Sequence, residues 1–180
     1  FQQGSSFVDI VSSIDFANPQ FSKTFPKGHF EALEELGPSR ELAQDYLLAG
    51  HYQEALWTLK RLGEAEAAKI LLGRLKEFLA KAPIEFVAGH NGNAAAKFLT
   101  FKGGIEVISK IKKGDGDNEF NNPKAEVWAY RLDEAFDLDI VPLTVERAGM
   151  SMQLLVTGKE SHREFKHSQY TPDAAVLFFL

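Results

Sequence analysis

A change of texture at Pro83 governs what this chain can fold into. Over residues 29–80, Ala, Leu, Glu, Lys and Arg dominate and no β-branched cluster appears, a composition that favours helix. Beyond Pro83, short apolar runs alternate with Gly, Asn and Asp clusters, the pattern of strands joined by turns. A chain of 180 residues divided in this way predicts an α+β fold. Four regions are expected: an irregular N-terminal segment over 1–28, a helical subdomain over 29–81, a sheet with one helix over 82–158, and a further segment over 159–180.

Within the helical region, HFEALEEL reads as a short amphipathic helix closed at Gly37. Pro38 sits where a first helical turn accepts it, and SRELAQDYLLAG runs to Gly50. HYQEALWTLKRLG is closed by Gly63, and EAEAAKILLGRLKEFLAKA is stopped by Pro83. Ala55, Leu56, Leu59 and Leu62 recur at spacings of three and four, one buried stripe. The run LAGHYQEALWTLKRLGEAEAAKILL resembles a single tetratricopeptide-like hairpin, with Gly50, Tyr52 and Ala55 in the familiar places. Such repeats need stacked neighbours, and no second copy is visible. A plain helical subdomain packed on its neighbour is the simpler expectation, and a partner-binding hairpin the alternative. In the first segment, FVDIV fits either a short strand or a first helical turn.

Past Pro83, IEFVAG is strand-like and GHNGN is a turn cluster. AAKFLTF and GIEVISKIKKG should form a hairpin around Gly103-Gly104. GDGDNEFNNP is a polar loop and KAEVWAYRLDEAFDL an amphipathic helix. DIVPLTVER and SMQLLVTG read as two more strands around Ala148-Gly149-Met150. Composition excludes several classes. Net charge is −5, which gives no basic balance for nucleic acid. Cysteine is absent, so disulfides and thiolate chemistry are excluded. No apolar run reaches the ~18 residues of a membrane-spanning helix.

The order strand, strand, strand, helix, strand, strand is that of the small lobe of a kinase-like fold, a five-stranded antiparallel sheet with one helix. Such a lobe needs a Gly-containing turn that approaches phosphates, a third-strand Lys that reaches them, and a helix carboxylate that holds the Lys. Backbone groups after the fifth strand must meet adenine. The candidates are Gly89 and Gly92, Lys110, Glu126, and the segment from Gln153 through Leu155 to Val156. Lys112, one alternation on, is the alternative third-strand lysine.

GHNGNAAAKFLTF, VISKIK, AEVWAYRLDEAFDLDIVPLTVER and SMQLLVTG follow in order over residues 89–158. Together they resemble the small lobe of atypical kinases related to type II phosphatidylinositol 4-kinases, and are similar to the secretory-pathway casein kinase family. The resemblance implies that Lys110, in S-K-I where the families carry F-K-P, is the nucleotide lysine. It aligns Glu126, Ala129, Tyr130, Leu132 and Asp133 with an E-x-x-A-Y-x-L-D helix. It aligns Val141, Pro142 and Thr144 with a V-P-x-T strand, and Ser151, Gln153, Leu154 and Val156 with the hinge. It implies ATP as ligand, with Mg²⁺ held only by carboxylates of a large lobe beyond Leu180. On this reading YTPDAAVLFFL begins that lobe, and its apolar tail is a surface for self-association or a protein partner. The competing expectation is a non-catalytic scaffold in which the sheet is pseudokinase-like.

Each candidate also has a plain structural role. Lys110 is one of a strand run with Lys112 and Lys113, Glu126 is a first-turn acid suited to the helix dipole, GHNGN serves as a hairpin loop, and Gln153 is a polar strand residue. Asp115, Asp117, Glu119, Asn121 and Glu126 have calcium-loop spacing, but Phe120 stands where that loop requires Gly. His162 and His167 are five apart, which does not align two ligands on a helix face.

Overall fold

A computed structural model describes residues 5–19, 23–89, 96–111 and 122–156. Among these residues the fold is α+β, with six helices and one five-stranded antiparallel sheet. Gly92, Lys112, the acidic loop candidates from Asp115 to Asn121, the histidines 162 and 167, and the YTPDAAVLFFL tail lie outside the described residues.

The first helix, α1 (Phe7–Ser13), lies within the segment expected to be irregular and takes the helical of the two readings of FVDIV. Ser6 caps it by accepting from the Asp9 amide at 3.1 Å. Its other end is closed by Arg74, whose guanidinium donates to the carbonyls of Val11 and Ile14. Phe7, Ile10 and Val11 are buried, so burial rather than intrinsic propensity decides for helix in this short piece.

Helices α2 (His29–Glu35), α3 (Arg40–Ala49), α4 (Tyr52–Arg61) and α5 (Ala65–Lys81) occupy the expected stretches. Gly50 takes a left-handed conformation, φ 78°, that stops α3. Ala55, Leu56 and Leu59 are buried, and Leu62 packs against the same core. Along α5, Leu71, Leu75 and Leu79 are fully buried.

The sheet runs β1 (Ile84–Gly89), β2 (Ala96–Phe101), β3 (Glu106–Ile111), β4 (Thr144–Arg147) and β5 (Met150–Leu154), in spatial order β1-β2-β3-β5-β4. Between β3 and β4 comes α6 (Pro123–Phe136), capped by the Asn122 side chain. The β4–β5 hairpin turns through Ala148 and Gly149, both at positive φ (51° and 76°), as a tight two-residue hairpin requires.

Register divides the sheet into two faces. Leu99, Val107 and Leu154 are cross-strand neighbours on one. They join Phe101, Met152 and the helices in a single hydrophobic core. The Phe78 ring of α5 meets that of Phe101 at 5.8 Å. Arg147 donates to the carbonyls of Leu79 and Ala82, which ties β4 to the end of α5. The helices and the sheet therefore share one interior.

The expected strand DIVPLTVER is ordered as a strand only over its last four residues. The preceding donors are spent elsewhere. Ile140 and Val141 donate to the Asp133 carboxylate at 2.9 and 3.1 Å, and Leu143 donates to Gln53 at 2.7 Å. Pro142 has no N–H, so this stretch offers the ladder no amide, and only the Leu143 carbonyl joins it, accepting from Leu154 at 2.9 Å.

Candidate functional site

Lys110 lies on β3 with Ala96 and Ser151 as its cross-strand neighbours. That row belongs to the face opposite the main core. A second row of the same face holds Phe98, Ile108, Gln153 and Thr144. Alternation enforces the division: Val107 and Ser109 are buried, while Ile108 and Lys110 are half-buried.

The Lys110 ammonium donates to Glu126 of α6. Both side chains are a little over a quarter exposed. A pair this accessible contributes at most about 1 kcal/mol to stability. Its consequence is positional, because it fixes the ammonium between the sheet and the helix.

Of the remaining positions of E-x-x-A-Y-x-L-D, Tyr130 and Asp133 hold that helix in place. Tyr130 is buried in the core, and burial first, then the charge of Glu134, raises its phenol above the usual range. Asp133, 6% exposed, caps the backbone at Ile140 and Val141. Lys60 of α4 donates to Asp137 at 2.8 Å and to Asp139 at 2.6 Å. Burial opposes the charge on Lys60, yet the two carboxylates outweigh it and raise its pKa. Leu132 and Ala129 point to solvent.

Gly89 ends β1 opposite Lys97. Gln153 donates its amide to the Thr144 hydroxyl at 3.2 Å, and Thr144 donates to the Pro142 carbonyl at 2.9 Å. The Gln153 side chain is thus used within the sheet. The Leu155 amide is also engaged, donating to the Glu106 carbonyl at 3.1 Å. Of the segment expected to meet adenine, the Leu155 carbonyl and the exposed Val156 follow the last ladder bond.

The helical region holds a concavity, which the sequence did not announce. A cavity of about 870 Å³ is lined by Phe30, Tyr46, His51, Glu54, Trp57 and Arg61 among others, with Val156 at its border. His51 is held neutral by burial, which lowers its pKa. Tyr46 donates to Glu34, and burial followed by that carboxylate raises its phenol far above the usual range. The separate helices were legible, but contacts between Phe30, Tyr46 and His51 join residues without a shared motif.

Among the described residues, no group of three or more His, Asp or Glu side chains is arranged to hold a metal ion. No helix there is long and apolar enough to cross a membrane. No protein-family model matches the chain, and neither a curated protein nor a solved structure matches it significantly.

Proposed function

We propose that this chain is the nucleotide-facing half of an atypical kinase-like protein, its sheet and α6 forming the small lobe. The observation that carries this reading is the Lys110–Glu126 pair. Phosphoryl transfer needs a third-strand lysine to reach the phosphates, and a glutamate from the following helix to place it. The antiparallel sheet with its one helix after β3 supports the same reading.

ATP fits the donor set in part. Lys110 supplies a cation for the phosphates, and the half-buried Ile108 lies on the same face of the sheet as an apolar contact for a base. The described residues do not supply a carboxylate cluster for Mg²⁺. In this chain Lys110 binds and orients phosphate oxygens while Glu126 orients Lys110. Transfer belongs to the intact protein, with the base and metal carboxylates expected after the hinge.

The test is titration with a fluorescent ATP analogue. Lys110→Ala should weaken binding at least about tenfold, the scale of one charge-assisted contact. Glu126→Gln should have a smaller effect, and circular dichroism should be unchanged in both. Binding that is absent, or indifferent to Lys110, refutes the proposal. Radiolabelled ATP with protein and lipid acceptors should give background only. Turnover lost on Lys110→Ala would place the catalytic groups within these 180 residues.

A second reading, a scaffold whose helical region binds a partner, gains support from the cavity beside Trp57. A ligand seated there would perturb Trp57 emission in a Trp128→Phe background and leave Lys110-dependent nucleotide binding unchanged.

A further inference from the structure

We propose that the outer face of α6 is a self-association surface that pairs antiparallel with α6 of a second copy, Leu132 lying on the twofold axis. The helix has two apolar faces. One is buried through Val127 and Tyr130. On the other, Trp128 is 60% exposed, Leu132 54% and Phe136 70%. At about 100° per residue these three fall within one quadrant, roughly opposite Tyr130. Ala125, Ala129 and Ala135, also exposed, leave room between them for a second helix. Leu138 and Ile140, exposed just past the helix end, have their amides held by the Asp133 carbonyl and carboxylate.

Three observations favour a second copy as the occupant. Trp128 and Phe136 stand four residues either side of Leu132. A twofold through Leu132 therefore sets each tryptophan against the other copy's Phe136, as an isologous contact demands. Charge is graded along the helix. Lys124 and Arg131 lie in its first two thirds, where Glu126 is balanced by Lys110; near its end Glu134 is balanced by Lys76, while Asp137 and Asp139 share a single Lys60 and keep net negative charge. Antiparallel pairing brings Lys124 to the acidic end of the partner helix, whereas parallel pairing brings like ends together. Area is sufficient. The two aromatics alone expose on the order of 200 Å² per copy. With Leu132, Leu138 and Ile140, two copies reach on the order of 1,000 Å², where specific interfaces begin. A weak, micromolar dimer follows.

The chain contains no cysteine, so each introduced thiol is the only one. Sedimentation velocity should show a concentration-dependent dimer, and Leu132→Asp should leave a monomer with an unchanged circular dichroism spectrum. Leu132→Cys should cross-link to itself with a short bismaleimide, far faster than Leu36→Cys at another exposed position. Trp128→Cys mixed with Phe136→Cys should cross-link more than either alone. A wild-type monomer at high micromolar concentration overturns the proposal and leaves the face to a foreign helix. So does Leu132→Cys reacting no faster than Leu36→Cys, or Phe136→Cys preferring itself. Glu126 lies on the other side of the helix, so Leu132→Asp should retain nucleotide binding, and either reading can fail alone.

Discussion

The β2–β3 hairpin contains two adjacent glycines that should respond differently to the same methyl group. Gly103 and Gly104 both have positive φ, 94° and 85°. Alanine in that region costs about 1–2 kcal/mol, partly offset because it restricts the unfolded chain by about 0.4–1 kcal/mol. Gly104 has nothing within 4 Å of an added Cβ, so this balance is its whole cost. At Gly103 the added atom would lie 1.8 Å from the Phe16 carbonyl oxygen. Backbone must move, and Phe16 moves with it. That ring is buried and meets Tyr52 at 5.0 Å and Phe78 at 5.5 Å. Losing a docked phenylalanine costs about 3–5 kcal/mol, which bounds the displacement. Gly103→Ala should therefore cost about 4 kcal/mol in all and Gly104→Ala about 1 kcal/mol or less. For a chain of this size each kcal/mol lowers Tm by about 2–4 °C. Thermal unfolding followed at 222 nm should separate the variants by roughly 6–12 °C. Equal midpoints would refute the close approach of Phe16 to the hairpin.

Ala148→Asn should raise stability by roughly 0.5–1 kcal/mol, because asparagine tolerates the left-handed position that Ala148 occupies; a lower urea midpoint would contradict that turn. Among the described residues the buried Ser109 hydroxyl has no hydrogen-bond partner, so Ser109→Ala should be neutral or stabilising by up to about 1 kcal/mol, and a clear loss in urea would reveal a partner. His51 has a folded-state pKa below its ordinary 6.5, so the unfolded chain binds the extra proton. Its contribution is full above about pH 6.5 and is lost as pH falls below it, with a slope under about 1.4 kcal/mol per pH unit. His51→Phe should flatten the urea midpoint between pH 6.5 and 5, and an unchanged slope would remove His51 as its source.

The helices could be read from sequence because local signals agree with burial there. Gly50 and Pro83 stop helices at sites where the tertiary structure also needs a turn. The Lys110–Glu126 contact was foreseeable because strand and helix order bring a third-strand lysine and a first-turn acid together. Two features were not legible. Residues 7–13 have a strand-compatible composition, and the Arg74 cap that closes α1 comes from more than sixty positions away. The shortening of β4 depends on Gln53, ninety residues before the amide it accepts. The cavity is hidden for the same reason, since its wall combines residues from three helices.

The shared interior has a consequence for synthesis. A ribosome emits residues in order, so α1 to α5 emerge before any strand exists. α3 and α4, neighbours in sequence and in space, can pair at once. The strand-facing side of α5 cannot, because its cover of Phe101 and β4 arrives later. A nascent chain paused just after Lys81 would display a greasy helix to any chaperone waiting at the exit tunnel. Completion of the β2–β3 hairpin would begin to hide it.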